Sequence, residues 1–258
     1  MKIDAIVTAG GVPQPGEHLY EYSRGRSKAL IDVAGKPMIQ WILDALGGSV
    51  AVQDVLIVGL DGSEGLSYKQ TLHYLPNQGG MIENILASAA RIADINPQAN
   101  HVLVASSDIP TITAEMVDWV VSQIRPEDDV VFNAIERSVM EERFPQSART
   151  FTKLRGIQLC GGDMNVASLR TVLAERGAWQ RLADARKSPL RQAAVVGFDT
   201  LLAVLFRLTD MEGTARLASK NLGIAGRAVL CPYAEVGMDV DKDHQLELVR
   251  QDLAARTQ

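Results

Sequence analysis

The first thirty residues constrain the fold of this chain more than any other stretch. Residues 3–7 (Ile-Asp-Ala-Ile-Val) form a short, mainly apolar run of the length of a buried strand. Ala9, Gly10 and Gly11 follow, and their small side chains let backbone N–H groups approach a ligand closely. A row of such N–H groups attracts phosphate, and Lys28 could add a positive charge beside the same anion. The alternative interpretation is a plain tight turn with Lys28 as a solvated lysine.

A second part of the same segment favours the phosphate-binding interpretation. Residues 27–30 read Ser-Lys-Ala-Leu, and residues 35–37 read Gly-Lys-Pro at a predicted helix start. Together with Thr-Ala-Gly-Gly at 8–11, this pattern resembles the N-terminal signature of the nucleotidyltransferase superfamily. That superfamily includes the sugar-phosphate nucleotidyltransferases and the molybdenum-cofactor guanylyltransferase-like enzymes. The chain contains no P-loop pattern, and no Gly-x-Gly-x-x-Gly follows the first strand.

The resemblance implies a nucleotide site in this segment. It assigns nucleotide binding to Ala9, Gly10, Gly11 and Lys28. It also implies that Lys28 and one loop arginine act in catalysis. The loop at 12–27 is longer than the usual one, so either Arg24 or Arg26 could be that arginine. We take Arg24 as the candidate and Arg26 as the alternative.

A Gly-containing turn at 76–80 is a further candidate for contact with the nucleotide base. In the resembled superfamily a turn at this place touches the base, and Gln78, Gly79 and Gly80 match it. A glutamine amide can both donate to and accept from a base edge. A plain loop before a helix is an equally good interpretation of these residues.

Carboxylates at two separate places predict a metal site. Asp108 follows the apolar run 101–105, and open α/β sheets place ligand-binding groups at such strand ends. Asp239 and Asp241 alternate along an extended stretch and therefore share one face. Ser-Asp-x-Pro and Asp-Val-Asp match the superfamily's metal motifs, which implies Mg²⁺ held by Asp108 and by Asp239 or Asp241. The alternatives are a turn cap at Asp108 and solvated charges at Asp239 and Asp241.

The turn after a predicted hairpin is a candidate acceptor site. Runs at 149–154 and 157–160 flank Arg-Gly, which predicts the hairpin. Gly-Gly-Asp-Met-Asn follows, and related turns lie beside the acceptor substrate in the resembled superfamily. Lys153, Asp163 and Asn165 are therefore candidate acceptor-binding residues. A glycine turn with Asn165 as a helix cap is the alternative.

Composition narrows the class of protein. The 258 residues are 47% hydrophobic and 22% charged, as in globular proteins, and the net charge of −5 argues against nucleic acid as a partner. Cys160 and Cys231 lie far apart without metal-ligand spacing, which suits a reducing cytoplasm. The N-terminus has no signal-peptide pattern, and the most apolar window, 193–208, is too short to span a bilayer.

The order of elements predicts an α/β fold. Apolar strands alternate with helical patterns, which favours a mainly parallel sheet between helices. The resemblance implies a three-layer α/β/α sandwich with a Rossmann-like, GT-A-type sheet. We expect one domain over 1–258, with a helical segment on the acceptor side at about 166–222. That apolar helical segment also makes a homodimer plausible.

These observations predict a Mg²⁺-dependent nucleotidyltransferase. It would transfer a nucleoside monophosphate from a nucleoside triphosphate to a small phosphorylated or hydroxylated acceptor and release pyrophosphate. Two alternatives stay open at this point. One is a nucleotide-sugar-dependent glycosyltransferase, since that fold also uses an Asp-x-Asp metal motif. The other is a nucleotide-binding regulatory protein without catalysis, an interpretation that the long loop at 12–27 keeps open.

Overall fold

The fold is a mixed α/β architecture built on one large sheet. The computed structural model describes residues 1–174 and 198–256. Nine described strands form the central sheet in the order β5-β4-β1-β6-β10-β7-β9-β8, with β11 also pairing with β7. Their bounds are β1 Ile3–Thr8, β4 Val52–Val58, β5 Leu72–Leu75, β6 His101–Ser106, β7 Val130–Glu136, β8 Thr152–Leu154, β9 Ile157–Gly161, β10 Met164–Ser168 and β11 Gly226–Leu230. A small hairpin, β2 Asp32–Val33 and β3 Lys36–Pro37, stands apart from this sheet.

Helices cover both faces of the sheet. They are α1 Tyr20–Ser23, α2 Met38–Gly48, α3 Met81–Ile95, α4 Ala114–Ser122, α5 Arg137–Arg143, α6 Leu169–Ala174, α7 Phe198–Leu205, α8 Met211–Leu222 and α9 Asp243–Arg256. The buried side chains of α2, α4 and α9 join one core cluster, and those of α3 and α6 join another. The predicted three-layer α/β/α sandwich is therefore confirmed.

The first strand lies inside the sheet because it is apolar on both faces. Ala5 and Val7 are buried in the core under α2, whereas Ile6 is buried under α3. β1 pairs in parallel with β4 on one side and with β6 on the other. The carboxyl ends of β1, β4 and β6 therefore meet at one edge, where Gly10 and Asp108 follow their strands.

The other half of the sheet is mainly antiparallel. β10 runs antiparallel to β6 and β7, and the β8–β9 hairpin extends the sheet beyond β7. The hairpin predicted around Arg155 and Gly156 is confirmed. Because β10 returns along β6, its first residues lie beside the carboxyl end of β6. This return brings the Gly-Gly-Asp-Met-Asn turn to the same edge as Asp108.

The helical segment predicted at about 166–222 begins too early. Val166 and Ser168 belong to β10, because alternate residues of that strand are buried and its backbone pairs with β6 and β7. Helix starts only at Leu169, and α7 and α8 supply the later helical part. The predicted helical positions Trp179, Leu182 and Ala183 lie outside the described residues. The single domain and the homodimer stay predictions.

Membrane spans were sought among the helices within residues 1–174 and 198–256. None of these helices combines the length and the apolar character that crossing a bilayer requires.

Candidate active site

The Gly10–Gly11 turn is held open at the end of β1 by contacts from two neighbouring strands. Ala9 N donates to Val58 O at 2.8 Å, which continues the β1–β4 pairing past the strand end. The Asn77 side chain donates to Gly10 O at 3.2 Å, and a Cβ on Gly10 would lie 3.1 Å from the side chains of Asn77 and Asn84. The turn is therefore closely packed from behind, and only glycine fits there without displacing these amides.

Lys28 reaches this turn because the loop before it folds back onto the strand end. Its backbone N donates to Gly11 O at 2.8 Å. The neighbouring Ser27 hydroxyl donates to Ala9 O at 2.6 Å and accepts from Ala29 N, which fixes the 3₁₀ turn Lys28–Leu30. The lysine side chain also passes beside Gly11. Residues nearly twenty positions apart in the chain thus form one wall of the site.

Lys28 joins the two ends of the chain at a pair of carboxylates. Its Nζ lies 2.5 Å from Asp108 Oδ2 and 2.6 Å from Asp241 Oδ1. The backbone supports the same arrangement, since Val240 N donates to Asp108 O at 2.9 Å. Burial alone would lower the pKa of Lys28, but Asp108 and Asp241 outweigh it and raise that pKa above its ordinary value. Lys28 therefore carries a full positive charge between two negative ones.

The two carboxylates suit Mg²⁺, which needs few protein ligands, better than an ion that is held by protein ligands alone. Asp108 Oδ1 is buried and has no hydrogen-bond partner among the described residues, so one oxygen is left for another cation. Asp241 is 56% exposed and can shift. No cluster of three or more His, Cys, Asp or Glu suited to a metal occurs in the described part of the chain. Mg²⁺ is commonly held by one or two carboxylates with substrate phosphates and waters, and Asp108 and Asp241 are two such carboxylates.

Asp239 has a different partner from Asp241. It forms an ion pair with Arg149, whose Nη2 also lies 3.6 Å from Asp163 Oδ2. Arg149 is largely buried, so its charge is used within this cluster. The sequence left Asp239 and Asp241 as equal candidates; the structure brings Asp241 to Lys28 and Asp108, and Asp239 to Arg149.

Two clefts meet at the strand ends. The first, of about 310 Å³, is lined by Gly10, Gly11, Lys28, Asn77, Gly79, Gly80 and Asp108, among others. The second, of about 360 Å³, contains Asp163 and Asn165 and runs over β6, β10 and β7. Thr8, Met81 and Ser106 line both clefts. Two substrates bound in these clefts would therefore touch each other.

Asp163 and Asn165 are fixed by the return of β10. Ser106 N donates to Asp163 O at 2.8 Å, and Asn165 accepts from Asn133 N at 2.8 Å while donating to Gly162 O. Burial, reinforced by the negative charge of Asp108, raises the pKa of Asp163 to about 7, although Arg149 opposes the rise. The Asp163 carboxyl can therefore exchange a proton near neutral pH.

Residues 5–188 match the model of the MobA-like NTP transferase domain. The chain belongs to this family. It is a nucleotidyltransferase, which agrees with the superfamily that the sequence resembles. A search of curated proteins gave no match.

Solved structures support the same fold for this NTP transferase. A hypothetical transferase from Thermus thermophilus is 31% identical, with 95% of this chain and 100% of that one covered and a TM-score of 0.82. A CMP-2-keto-3-deoxy-manno-octonic acid synthetase complexed with CTP is 16% identical over 99% and 100% of the two chains, with a TM-score of 0.60. A 4-diphosphocytidyl-2C-methyl-D-erythritol synthase from Anaerococcus prevotii is 13% identical over 98% and 96%, with a TM-score of 0.60.

Several predicted site residues of this NTP transferase lie away from the two clefts. Arg24 and Arg26 are exposed, and neither lines one of the two clefts in the described part of the structure. Gln78 donates its side-chain amide to Pro76 O, and Lys153 is exposed on β8. Their assigned roles in catalysis, base contact and acceptor binding stay predictions.

The long loop at 12–27 forms a wall of its own. It borders a cavity of about 350 Å³ together with Lys28 and Asp241. Leu19 N donates to the Asp243 side chain at 3.0 Å, and His18 Nδ1 lies 3.6 Å from the same carboxylate. The loop therefore packs against the start of α9 beside the carboxylate pair.

Sequence reasoning missed the residues that support the site from behind. Asn84 is buried on α3, accepts from Gln78 N at 2.7 Å and donates to Asn77, which holds the turn at 76–80 against Gly10. Gly59 and Arg149 were missed as well. A buried Asn on a helix is a weak signal, and nothing in the sequence around Arg149 marks its partner Asp239, 90 residues away.

Proposed function

We propose that this nucleotidyltransferase is Mg²⁺-dependent and transfers a nucleoside monophosphate from a nucleoside triphosphate to a small phosphorylated or hydroxylated acceptor, releasing pyrophosphate. One observation carries the proposal. The backbone of Gly10 and Gly11, the ammonium of Lys28 and the carboxylate of Asp108 line one cleft, with Asp241 bound to the same lysine.

The charges of the cleft suit a triphosphate. Backbone N–H groups at a glycine turn attract phosphate, and Lys28 adds a fixed positive charge. Asp108 and Asp241 are the residues that would hold Mg²⁺, which supplies neutralisation of phosphate charge when bound. The Lys28 ammonium lies in the wall of the same cleft, where it would contact the triphosphate.

The two adjoining clefts suit an in-line transfer. The acceptor oxygen forms a bond to the α-phosphorus while the bond from that phosphorus to the pyrophosphate oxygen breaks. Lys28 stabilises negative charge on the transferring and departing groups, and the fixed turn at Gly10 and Gly11 orients them. Such positioning supplies on the order of 7–11 kcal/mol of the barrier reduction in favourable reactions. No protein nucleophile takes part.

Structural neighbours indicate which nucleotide to test first. Several of the similar structures are of cytidylyl-transferring enzymes or of a complex with CTP. We therefore include cytidine as the first base to test.

Thermal stability tests the nucleotide site directly. The melting temperature is measured with CTP, ATP, GTP and UTP, each with and without Mg²⁺. A ligand at about 100 times its dissociation constant adds about 2.7 kcal/mol to the free energy of unfolding. For a chain of this size that corresponds to a rise of about 5–10 °C. We expect one triphosphate to give this rise, and only with Mg²⁺.

Matched surface variants distinguish a loss of nucleotide binding in this cleft from a general loss of stability. Lys28→Ala should abolish the nucleotide-dependent rise, whereas Lys36→Ala, which removes a surface ion pair with Asp44, should keep it. Asp108→Asn should abolish pyrophosphate release, with Asp44→Asn as its control. A normal rise in Lys28→Ala, or near-normal turnover in Asp108→Asn, would refute the proposal.

A further inference from the structure

The second cleft has an unusual lining for a site beside a triphosphate. It begins at Thr8 and Ser106, at the edge of the nucleotide cleft, and runs between α3 and the sheet. Beyond this polar end the lining is apolar apart from Asn165, whose side chain is hydrogen-bonded to the backbone of Asn133 and Gly162. The apolar lining residues include Ile82, Ile85, Leu86, Val104, Phe132 and Val166. We call this cleft the apolar groove.

Large apolar side chains of the groove are left exposed. Phe132 is 44% exposed and Met81 is 60% exposed in the described structure. Burying such a side chain contributes about 1.5–3 kcal/mol, so leaving two of them open beside an active site favours an apolar ligand. The groove also continues past Phe132, which borders a second apolar cavity of about 420 Å³ beneath α8.

The charges of the groove exclude a phosphate from it. No lysine, arginine or histidine lines it among the described residues, and Asp163 is its one charged side chain there. The cation nearest to that carboxylate, Arg149, is already paired with Asp239 and Asp163. A phosphate placed in the groove would therefore meet a negative charge without a compensating positive one.

We infer that the acceptor is an uncharged alcohol with an extended apolar body. Its hydroxyl group lies at Thr8, Ser106 and Asp163, and its apolar body lies along Ile85 and Phe132. This inference rests on the proposed function and narrows its acceptor from phosphorylated or hydroxylated compounds to hydroxylated ones.

The chemistry balances without a further reactant. The hydroxyl oxygen forms a bond to the α-phosphorus, the bond to the pyrophosphate oxygen breaks, and pyrophosphate leaves with its electron pair. The hydroxyl proton passes to the Asp163 carboxylate. A phosphate acceptor would be deprotonated already near neutral pH and would need no such group.

Titration calorimetry with three probes tests the inference on the full chain. The probes are 1-O-hexylglycerol, glycerol and glycerol 3-phosphate, each titrated without nucleotide and with the Mg²⁺–triphosphate that stabilises the protein. We expect 1-O-hexylglycerol to bind at least tenfold more tightly than the other two. Phe132→Ser and Ile85→Ser should each weaken its binding about tenfold or more. Phe206→Ser removes an equally large exposed ring outside the groove and should leave its binding unchanged.

Three results would overturn the inference. They are tighter binding of glycerol 3-phosphate, equal effects of Phe132→Ser and Phe206→Ser, and a sedimentation change in Phe132→Ser with 1-O-hexylglycerol binding intact. The last result would make the groove a contact between two copies of the chain. Because the titration without nucleotide measures the groove alone, a failure of nucleotide stabilisation would count against the proposed function and not against the groove's ligand class.

Discussion

Gly59 is the residue whose replacement tests the architecture of the nucleotide turn most sharply. It follows β4 with a φ of +108°, which L side chains rarely adopt. A Cβ there would lie 2.4 Å from Gly10 Cα and 2.4 Å from Gly10 N. The obstacle is backbone, not a flexible side chain, so Gly59→Ala must displace the Gly10–Gly11 turn itself.

Two effects add in this variant. The left-handed backbone costs an alanine about 1–2 kcal/mol. Overpacking in a filled space typically costs a further 1–3 kcal/mol. Gly35 provides a matched control, because it has a φ of +91° but nothing within 4 Å of its Cβ position. Gly35→Ala therefore isolates the backbone effect from the collision.

Thermal unfolding with and without the Mg²⁺–triphosphate measures both consequences. At about 2–4 °C per kcal/mol, Gly35→Ala should lower the melting temperature by about 2–8 °C and Gly59→Ala by about 4–20 °C. Only Gly59→Ala should also lose most of the nucleotide-dependent rise, because Gly10 is displaced. If both variants lose the same stability and both keep the rise, the contact between Gly59 and Gly10 does not shape the nucleotide site.

Three further predictions concern buried charges and thiols. Arg149→Ala leaves Asp239 and Asp163 without their shared cation and should destabilise the protein by about 3 kcal/mol in urea unfolding, since breaking a buried pair is costly; an unchanged midpoint would contradict this. Because the pKa of Asp163 is raised to about 7 in the folded protein, its contribution to stability is present at low pH and lost as pH rises through 7. The melting temperature of Asp163→Asn should therefore exceed that of the original protein by a margin that grows from pH 5 to about pH 7 and then levels off, and parallel curves would refute the assignment. Burial raises the pKa of both Cys160 and Cys231, so a thiol reagent at pH 8 should label them only in denaturant, whereas rapid labelling of the folded chain would show that they are accessible.

The sequence predicts the fold well where hydrophobic pattern and position agree. The apolar runs of β1, β4 and β6 have the length and flanks of buried parallel strands, and the structure has them in that role. The pattern fails at β10. Its residues 166–168 carry small and apolar side chains that suit either a strand or a helix start, and only the antiparallel partners β6 and β7 decide between these.

The residues of the candidate site also differ in how far the sequence predicts them. Gly10, Gly11, Lys28 and Asp108 follow motifs whose chemistry is local, so they could be found from the sequence. Supporting contacts are different, because they depend on distant partners. Asn84 lies on α3 about half a turn away from the apolar positions that the sequence marks there, and its role appears only when α3 brings it behind the Gly10 turn.

The choice between Asp239 and Asp241 shows where sequence reasoning stops. Alternation along an extended chain places both side chains on one face. The pattern does not say which cation each carboxylate contacts. Which carboxylate lies beside Lys28 depends on the cation that each one contacts. Arg149, from the loop before β8, pairs with Asp239 and leaves Asp241 to Lys28. The two carboxylates of the late motif are therefore distinguished by an arginine 90 residues before Asp239. In Arg149→Ala, Asp239 becomes a third carboxylate available to a cation at this edge of the sheet, beside Asp108 and Asp241.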